Sequence, residues 1–405
     1  MNTTTLGRRH LPAVFAGTLT FAVLSCTEPP LSAPDTENLL RASAVKAWEA
    51  NAAVYWNGVA RDFVIANSSP PPVALRGYAI VSVAQYNAAI AAEKGKAGDL
   101  HPSIRAAIGA ASVEALSYLY PAQAAALENL LEEFLAAPAW PGEKHRDVPS
   151  GVAVGRVIGQ EVVAHAQTDN FFAPGMVTVP VGPGLWFSAS PPVGALWGQA
   201  RPYTLLSGDQ FRPPPPPAFG SAEFEAALAE VRLISDTRTP EQEANAKFWD
   251  FPVGTYTPPG YWNEEAAKLA VTYHLGDREA AHVFALMNTV VFDAIVASHD
   301  AKFFYWVLRP SMADPAITPV IVLPNFPSYP ANHATVSGGM ARILAHEFPA
   351  EKQRLDALAE EAAMSRVLGG IHYRFDGDAG LVLGRAIAAW AIEHDVHGHQ
   401  AIVLR

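Results

Sequence analysis

Residues 365–376 read Ser365-Arg366-Val367-Leu368-Gly369-Gly370-Ile371-His372-Tyr373-Arg374-Phe375-Asp376. On an unbroken helix Arg366 and His372, six apart, lie on different faces. Gly369-Gly370 between them can interrupt the helix and turn both side chains to one point. His372 and Asp376 are four apart, so a hydrogen bond within one turn is expected, which fixes the imidazole tautomer and raises its basicity. Two clusters precede this one. In the first, Lys302 and Arg309 stand seven apart with only apolar and aromatic residues between them, followed by Pro310. Seven residues are two helical turns, which predicts two cations on one helix face, with Pro310 ending the helix just after Arg309. In the second, Pro327-Ser328-Tyr329-Pro330-Ala331-Asn332-His333-Ala334 opens an Ala-rich helical stretch. Asn332 suits the helix start, where its side chain or backbone N–H can face an anion.

Brought together, these clusters give three cations and two imidazoles with no cysteine ligand and no acidic cage. Such a set suits a tetrahedral oxyanion and not Zn²⁺, Ca²⁺ or Mg²⁺. Arginines grip oxyanion edges, Lys302 adds a point charge, one histidine bonds to the central atom and the other moves a proton. Taken alone, Lys302 and Arg309 read as a solvated helix edge, and Asp376 as the cap of the next helix. The conjunction with His333, Arg366 and His372 outweighs those readings.

The order Lys-x6-Arg-Pro, then Pro-x-x-His, then Ser-Arg-x5-His-x3-Asp resembles the superfamily of vanadium-dependent haloperoxidases and type 2 phosphatidic acid phosphatases. The likeness extends to residues 278–300 with Asn288 and Asp293, to Trp197-Gly-Gln-Ala-Arg-Pro202, to residues 242–249 and to Trp262-Asn263. These look like the soluble bacterial haloperoxidase branch, over roughly residues 40–395. The resemblance implies that His372 bonds to vanadium, or attacks phosphorus. It implies that Lys302, Arg309 and Arg366 neutralise the oxyanion oxygens, that Asn332 and His333 also face it, that His333 is the acid–base histidine, and that Asp376 supports His372. Phe326 stands where chloroperoxidases tend to carry Phe and bromoperoxidases His. One departure is plain: the family's Ser-Gly before the histidine is Ala331-Asn332 here. Ala331 offers no side-chain donor, which leaves the backbone N–H of Asn332 and its amide as replacements.

The resemblance implies an all-α fold of two packed helical bundles, and the residues agree. Helical patterns fill residues 41–169 and 221–395, including 73–95, 103–119, 121–137, 150–168, 261–275, 277–305, 332–348, 350–368 and 378–393. Between them, residues 170–220 are rich in proline and glycine and read as an irregular connection plugged by Phe171, Phe172, Trp186, Phe187, Trp197, Tyr203 and Phe211. The run of five prolines at 213–217 reads as a stiff spacer. Residues 78–92 align with 284–298 at a constant offset of 206, which predicts two similar halves. The C-terminal half carries the whole pocket, and residues 396–405 form a polar tail. His165, His274, His282 and His299 read as satisfied helix histidines, and His394, His397 and His399 as part of the C-terminal end rather than a metal site.

The chain has 405 residues, half of them apolar, and a net charge of −11, which argues against a global electrostatic grip on nucleic acid. Arg8-Arg9 followed by the apolar residues 11–24 read as an export signal ending near residue 25. The single cysteine, Cys26, follows Val23-Leu24-Ser25, which resembles a bacterial lipobox; an ordinary signal cut elsewhere is the alternative. The expectation is an exported lipoprotein, lipid-anchored at Cys26 through a tether at 26–40, facing the periplasm or cell exterior. Three functions are open to the pocket: halide oxidation by peroxide at a His-bound vanadate, phosphate-ester hydrolysis through a phosphohistidine, or oxyanion binding without catalysis.

Overall fold

The structure, a computed structural model, describes residues 51–95, 101–137, 145, 147–395 and 400–404. The export signal, Cys26, the tether, His397 and His399 lie outside the described residues. All the described residues fall within one compact unit.

Thirteen α-helices account for the order among the described residues, with isolated bridges but no strand. They are α1 (Ala52–Ala66), α2 (Pro71–Lys94), α3 (Ile104–Leu119), α4 (Ala124–Ala136), α5 (Val148–Ala166), α6 (Ala222–Thr237), α7 (Pro240–Phe248), α8 (Thr257–Thr272), α9 (Asp277–Tyr305), α10 (Pro310–Ala313), α11 (Asn332–Glu347), α12 (Lys352–Leu368) and α13 (Arg374–His394). Their starts follow local chemistry. Asn51, Ser103, Ser221 and Thr239 each cap a helix by accepting a backbone N–H, and Pro71, Pro240 and Pro310 occupy first-turn positions. The apolar α9 is the central element, packed by α2, α11 and α13. By length and composition it matches a membrane span, yet nearly all of it is buried inside the protein.

The offset of 206 residues has a spatial counterpart. α2 packs along α9, and Asn288 Nδ2 donates to Ser82 Oγ at 2.9 Å. These two residues occupy the same place in the two aligned stretches. The correspondence extends to Tyr55-Trp56-Asn57 on α1 and Tyr261-Trp262-Asn263 on α8. Asn57 donates to Ser82, and Asn263 exchanges two bonds with Asn288 at 2.8 and 2.9 Å. Each of these polar side chains is buried, where an unmet amide costs about 1–3 kcal/mol, so pairing them to one another stabilises the junction.

The α3–α5 pair repeats as α11–α13. Ser103 N donates to Asp147 O, and Ala331 N donates to Asp376 O, both at 2.9 Å. Gly155 packs on the Ala107 carbonyl and Gly384 on the Thr335 carbonyl, where a Cβ would sit 2.3 and 2.0 Å from oxygen. In this register Arg105 stands where His333 stands in the second copy.

The 170–220 connection is irregular apart from a short 3-10 turn, Trp197–Gln199. Phe171, Trp186 and Tyr203 are buried, and Trp197 and Phe211 are partly so. Phe172 and Phe187 are 58% and 63% exposed, so they do not plug the interior; Phe172 lies over the Arg76 guanidinium instead. Buried Asp293 of α9 holds the connection by accepting from Tyr203 N, Thr204 N, Thr204 Oγ1 and Leu205 N at 2.6–3.1 Å. Tyr305 and Tyr329 hydroxyls donate to the carbonyls of Pro213 and Pro214, fixing the proline run over the end of α9.

Candidate active site

Lys302 ends the buried part of α9. The helix closes at Tyr305, and Trp306 adopts a left-handed conformation (φ 53°, ψ 35°) that reverses the chain. This corrects one expectation. Arg309 is not on the helix of Lys302 but on an extended segment, and Pro310 begins the short α10 instead of ending α9. The reversal still returns Arg309 to Lys302: the Phe326 ring lies 5.0 Å from Lys302 Nζ and 5.1 Å from Arg309 Cζ.

α12 ends at Leu368, and Gly370 takes φ +78°, a conformation open to glycine at little cost. The break turns Arg366 and His372 to one region, as their sequence demanded. Asp376 lies in the first turn of α13. Its Oδ2 accepts His372 Nδ1 at 2.8 Å, Ser328 Oγ at 2.6 Å and the Tyr373 N–H at 3.1 Å. It therefore acts both as the imidazole's partner and as a helix-start acceptor. Nδ1 of His372 carries the proton, and Nε2 presents its lone pair to the pocket, where Arg309 Nη1 donates to it at 2.9 Å.

Lys302, Arg309 and Arg366 have essentially no solvent exposure. Lys302 Nζ donates to the carbonyls of Pro327, Ser328 and Pro330 at 2.9, 2.8 and 2.5 Å. Burial and Arg309 lower its pKa while Asp376 works against them. Three acceptors need three N–H groups, which only the ammonium has, so Lys302 is charged here. Arg309 also donates to Phe326 O and Ile371 O, and Arg366 to Ser365 Oγ, Ala246 O and, at 3.4 Å, Asp250. Burial pushes both arginines down to about 10. Burial, then Arg366, holds His333 well below the usual histidine range; burial, then Arg309 and Lys302, does the same to His372. Both imidazoles are neutral near neutral pH.

Buried polar atoms are left over. Arg309 Nη2 and His333 Nε2 are shielded from solvent and have no partner. No side chain caps the start of α11, whose first N–H groups have no intrahelical acceptor. Three buried cations face one fully buried carboxylate, Asp376, with the partly exposed Asp250 beside Arg366. A tetrahedral oxyanion supplies the missing negative charge and acceptors, so the residues present fit vanadate or phosphate.

Two residues of this site escaped the sequence reading. Ser328 bonds Asp376 from a loop 48 residues away, and nothing local marks it. His299, read as an ordinary helix histidine, lies one turn before Lys302 and donates or accepts at both ring nitrogens: Nδ1 with Gly194 O at 2.9 Å and Nε2 with Asn332 Nδ2 at 3.1 Å. Its three-residue spacing from Lys302 was the available signal. Asn332 in turn is not aimed at the anion through its amide, which is taken by His299 and Ser298.

Residues 280–395 match the sequence model of the PAP2 superfamily, so the chain carries a domain of that superfamily there. The vanadium chloroperoxidase of Curvularia inaequalis is 24% identical over 176 aligned residues, covering 35% of this chain and 29% of that protein. The chain thus spans less than a third of the length of that curated relative. A crystal structure of a bacterial vanadium-dependent iodoperoxidase superposes with a TM-score of 0.68 at 23% identity, covering 88% of this chain and 96% of the other. That of an apo bacterial vanadium-dependent chloroperoxidase gives 0.65 at 14% identity, covering 80% and 94%. At these identities the likeness establishes a shared helical fold.

Proposed function

We propose that this chain, with its PAP2 superfamily domain, is a vanadium-dependent haloperoxidase-type enzyme that oxidises halide with hydrogen peroxide. The observation that carries the reading is the pairing of His372 with Asp376 inside a pocket of three buried cations that has donors to spare. The structural neighbours, iodo- and chloroperoxidases by description, support it over the alternatives.

His372 would hold the vanadium through Nε2, after Arg309 Nη1 releases that lone pair. Asp376 keeps the proton on Nδ1, so the bonding nitrogen stays bare, while burial and the neighbouring cations lower the basicity of the ring. Arg309, Arg366 and the Asn332 N–H would hold the oxyanion oxygens, and Lys302 adds charge from its carbonyl cradle. The bound vanadate would supply a fully oxidised centre that makes peroxide electrophilic toward halide. His333, neutral and unpaired at Nε2, can take a proton from the incoming peroxide and return it to a leaving oxygen. The protein's contribution is fixed charge and geometry in a dry site. An exported, lipid-anchored chain remains the reading of residues 1–40, supported by Arg8-Arg9, the apolar 11–24 stretch and Cys26.

The same groups would serve phosphate-ester hydrolysis, so the test has two arms. Vanadate-loaded protein is assayed for peroxide-dependent triiodide formation, and untreated protein for p-nitrophenyl phosphate hydrolysis. Triiodide formation that requires vanadate supports the proposal. Hydrolysis alone would replace it with a phosphatase, and activity in neither arm with an oxyanion-binding protein.

A further inference from the structure

Where the family motif carries Ser-Gly, this chain has Ala331-Asn332, and the hydroxyl is lost. The Asn332 side chain enters a chain of hydrogen bonds instead. Ser298 Oγ lies 2.5 Å from Asn332 Oδ1, Asn332 Nδ2 lies 3.1 Å from His299 Nε2, and His299 Nδ1 lies 2.9 Å from Gly194 O. The direction of the chain is forced from one end. The Gly194 carbonyl only accepts, so His299 Nδ1 bears the proton and Nε2 is bare. Asn332 must then offer its NH₂ to His299, which leaves its oxygen facing Ser298, and the hydroxyl must donate.

Ser298 and His299 are fully buried, on the same helix as Lys302. The imidazole is packed against Trp197 (4.7 Å between ring centres) and edge-on to Phe326 (5.3 Å), the ring that also contacts Lys302 and Arg309. The chain therefore joins the connection at Gly194, helix α9 and the first residue of α11. Of these three points, Asn332 is the one that opens α11 and immediately precedes His333.

We infer that Ser298 and His299 are positioning residues that act through Asn332. They orient the opening turn of α11 so that its backbone N–H groups face the oxyanion, compensating for the hydroxyl absent at Ala331. The inference rests on the oxyanion reading of the pocket and is independent of which reaction follows.

The test is binding of orthovanadate and of inorganic phosphate to the full-length protein by titration calorimetry, with no turnover involved. Asn332→Ala and Ser298→Ala are each expected to weaken both anions about 10-fold, the scale of an outer-layer partner. The double variant should be no weaker than either single one, because each breaks the same device. Ser298→Thr, which keeps the hydroxyl, and His299→Gln, which keeps a donor and an acceptor, should recover more of the affinity than Ser298→Ala and His299→Leu. A melting curve for each variant separates loss of fold from loss of orientation. The inference is overturned if folded Asn332→Ala binds both anions as the unmodified protein does, if the double variant shows additive losses, or if the conservative variants recover nothing. An unmodified protein that binds neither anion overturns the pocket reading itself, a distinguishable result.

Discussion

His372 Nδ1 stands 2.8 Å from Asp376 Oδ2, and the same oxygen accepts Ser328 Oγ at 2.6 Å. One carboxylate oxygen thereby decides which imidazole nitrogen is bare. His372→Ala should abolish vanadate binding, a loss on the order of 100-fold or more, because the bond to the central atom has no substitute. Asp376→Asn should weaken binding by about 10- to 100-fold by releasing the tautomer. Titration of vanadate by calorimetry checks both; an unchanged affinity in His372→Ala would remove the role assigned to it.

Lys302 holds three carbonyls of the 327–330 loop and places its charge beside Arg309. Lys302→Met should therefore lower stability and anion affinity together. Three buried carbonyls lose their donors, at about 1–3 kcal/mol for each that stays unmet. Thermal denaturation with and without phosphate measures the two effects. A normal melting point with weakened anion binding would show that the cradle is dispensable.

Acid should destabilise this protein. Burial, reinforced by Lys302, Arg366 and Arg309 respectively, lowers the pKa values of His299 (to about 3), His333 and His372, so each takes up a proton on unfolding. Burial raises Asp293 and Asp376 to about 6, so these two release protons on unfolding. Between about pH 4 and pH 6, the uptakes of the three buried histidines exceed the releases of the two fully buried carboxyls. Stability then falls on acidification. Urea midpoints across that range test the sign: a midpoint that climbs as pH drops contradicts the balance.

Gly384→Ala should disrupt the packing of α13 on α11. Its Cβ would lie 2.0 Å from the Thr335 carbonyl, against backbone that cannot swing aside. The expected cost is about 1–3 kcal/mol or more, visible as a lower melting temperature. Gly254, with open space around it, tests a different constraint: its φ of +95° alone resists a side chain.

The helical plan was legible because amphipathic spacing and caps are local: the expected stretches at 103–119, 277–305 and 332–348 differ from α3, α9 and α11 by a residue at most. The convergence of Arg366 and His372 was legible too, since Gly369-Gly370 has few other uses. The placement of Arg309 was not. Trp306 takes its left-handed turn without a glycine to announce it, held by tertiary bonds such as Trp186 N to Trp306 O. The exposed Phe172 and Phe187 escaped for a related reason. Aromatic content alone does not say which rings an irregular segment turns inward.

The register that equates Arg105 with His333 gives the molecule an unequal inheritance. In the earlier copy the guanidinium stacks on Phe134 at 4.6 Å and donates to that residue's carbonyl, so the socket is filled by its own wall. In the later copy His333 stands at that place, buried, with Nε2 unpartnered. The same helical arrangement thus serves two ends: one copy closes on its own guanidinium, and the other turns an imidazole toward the buried arginines.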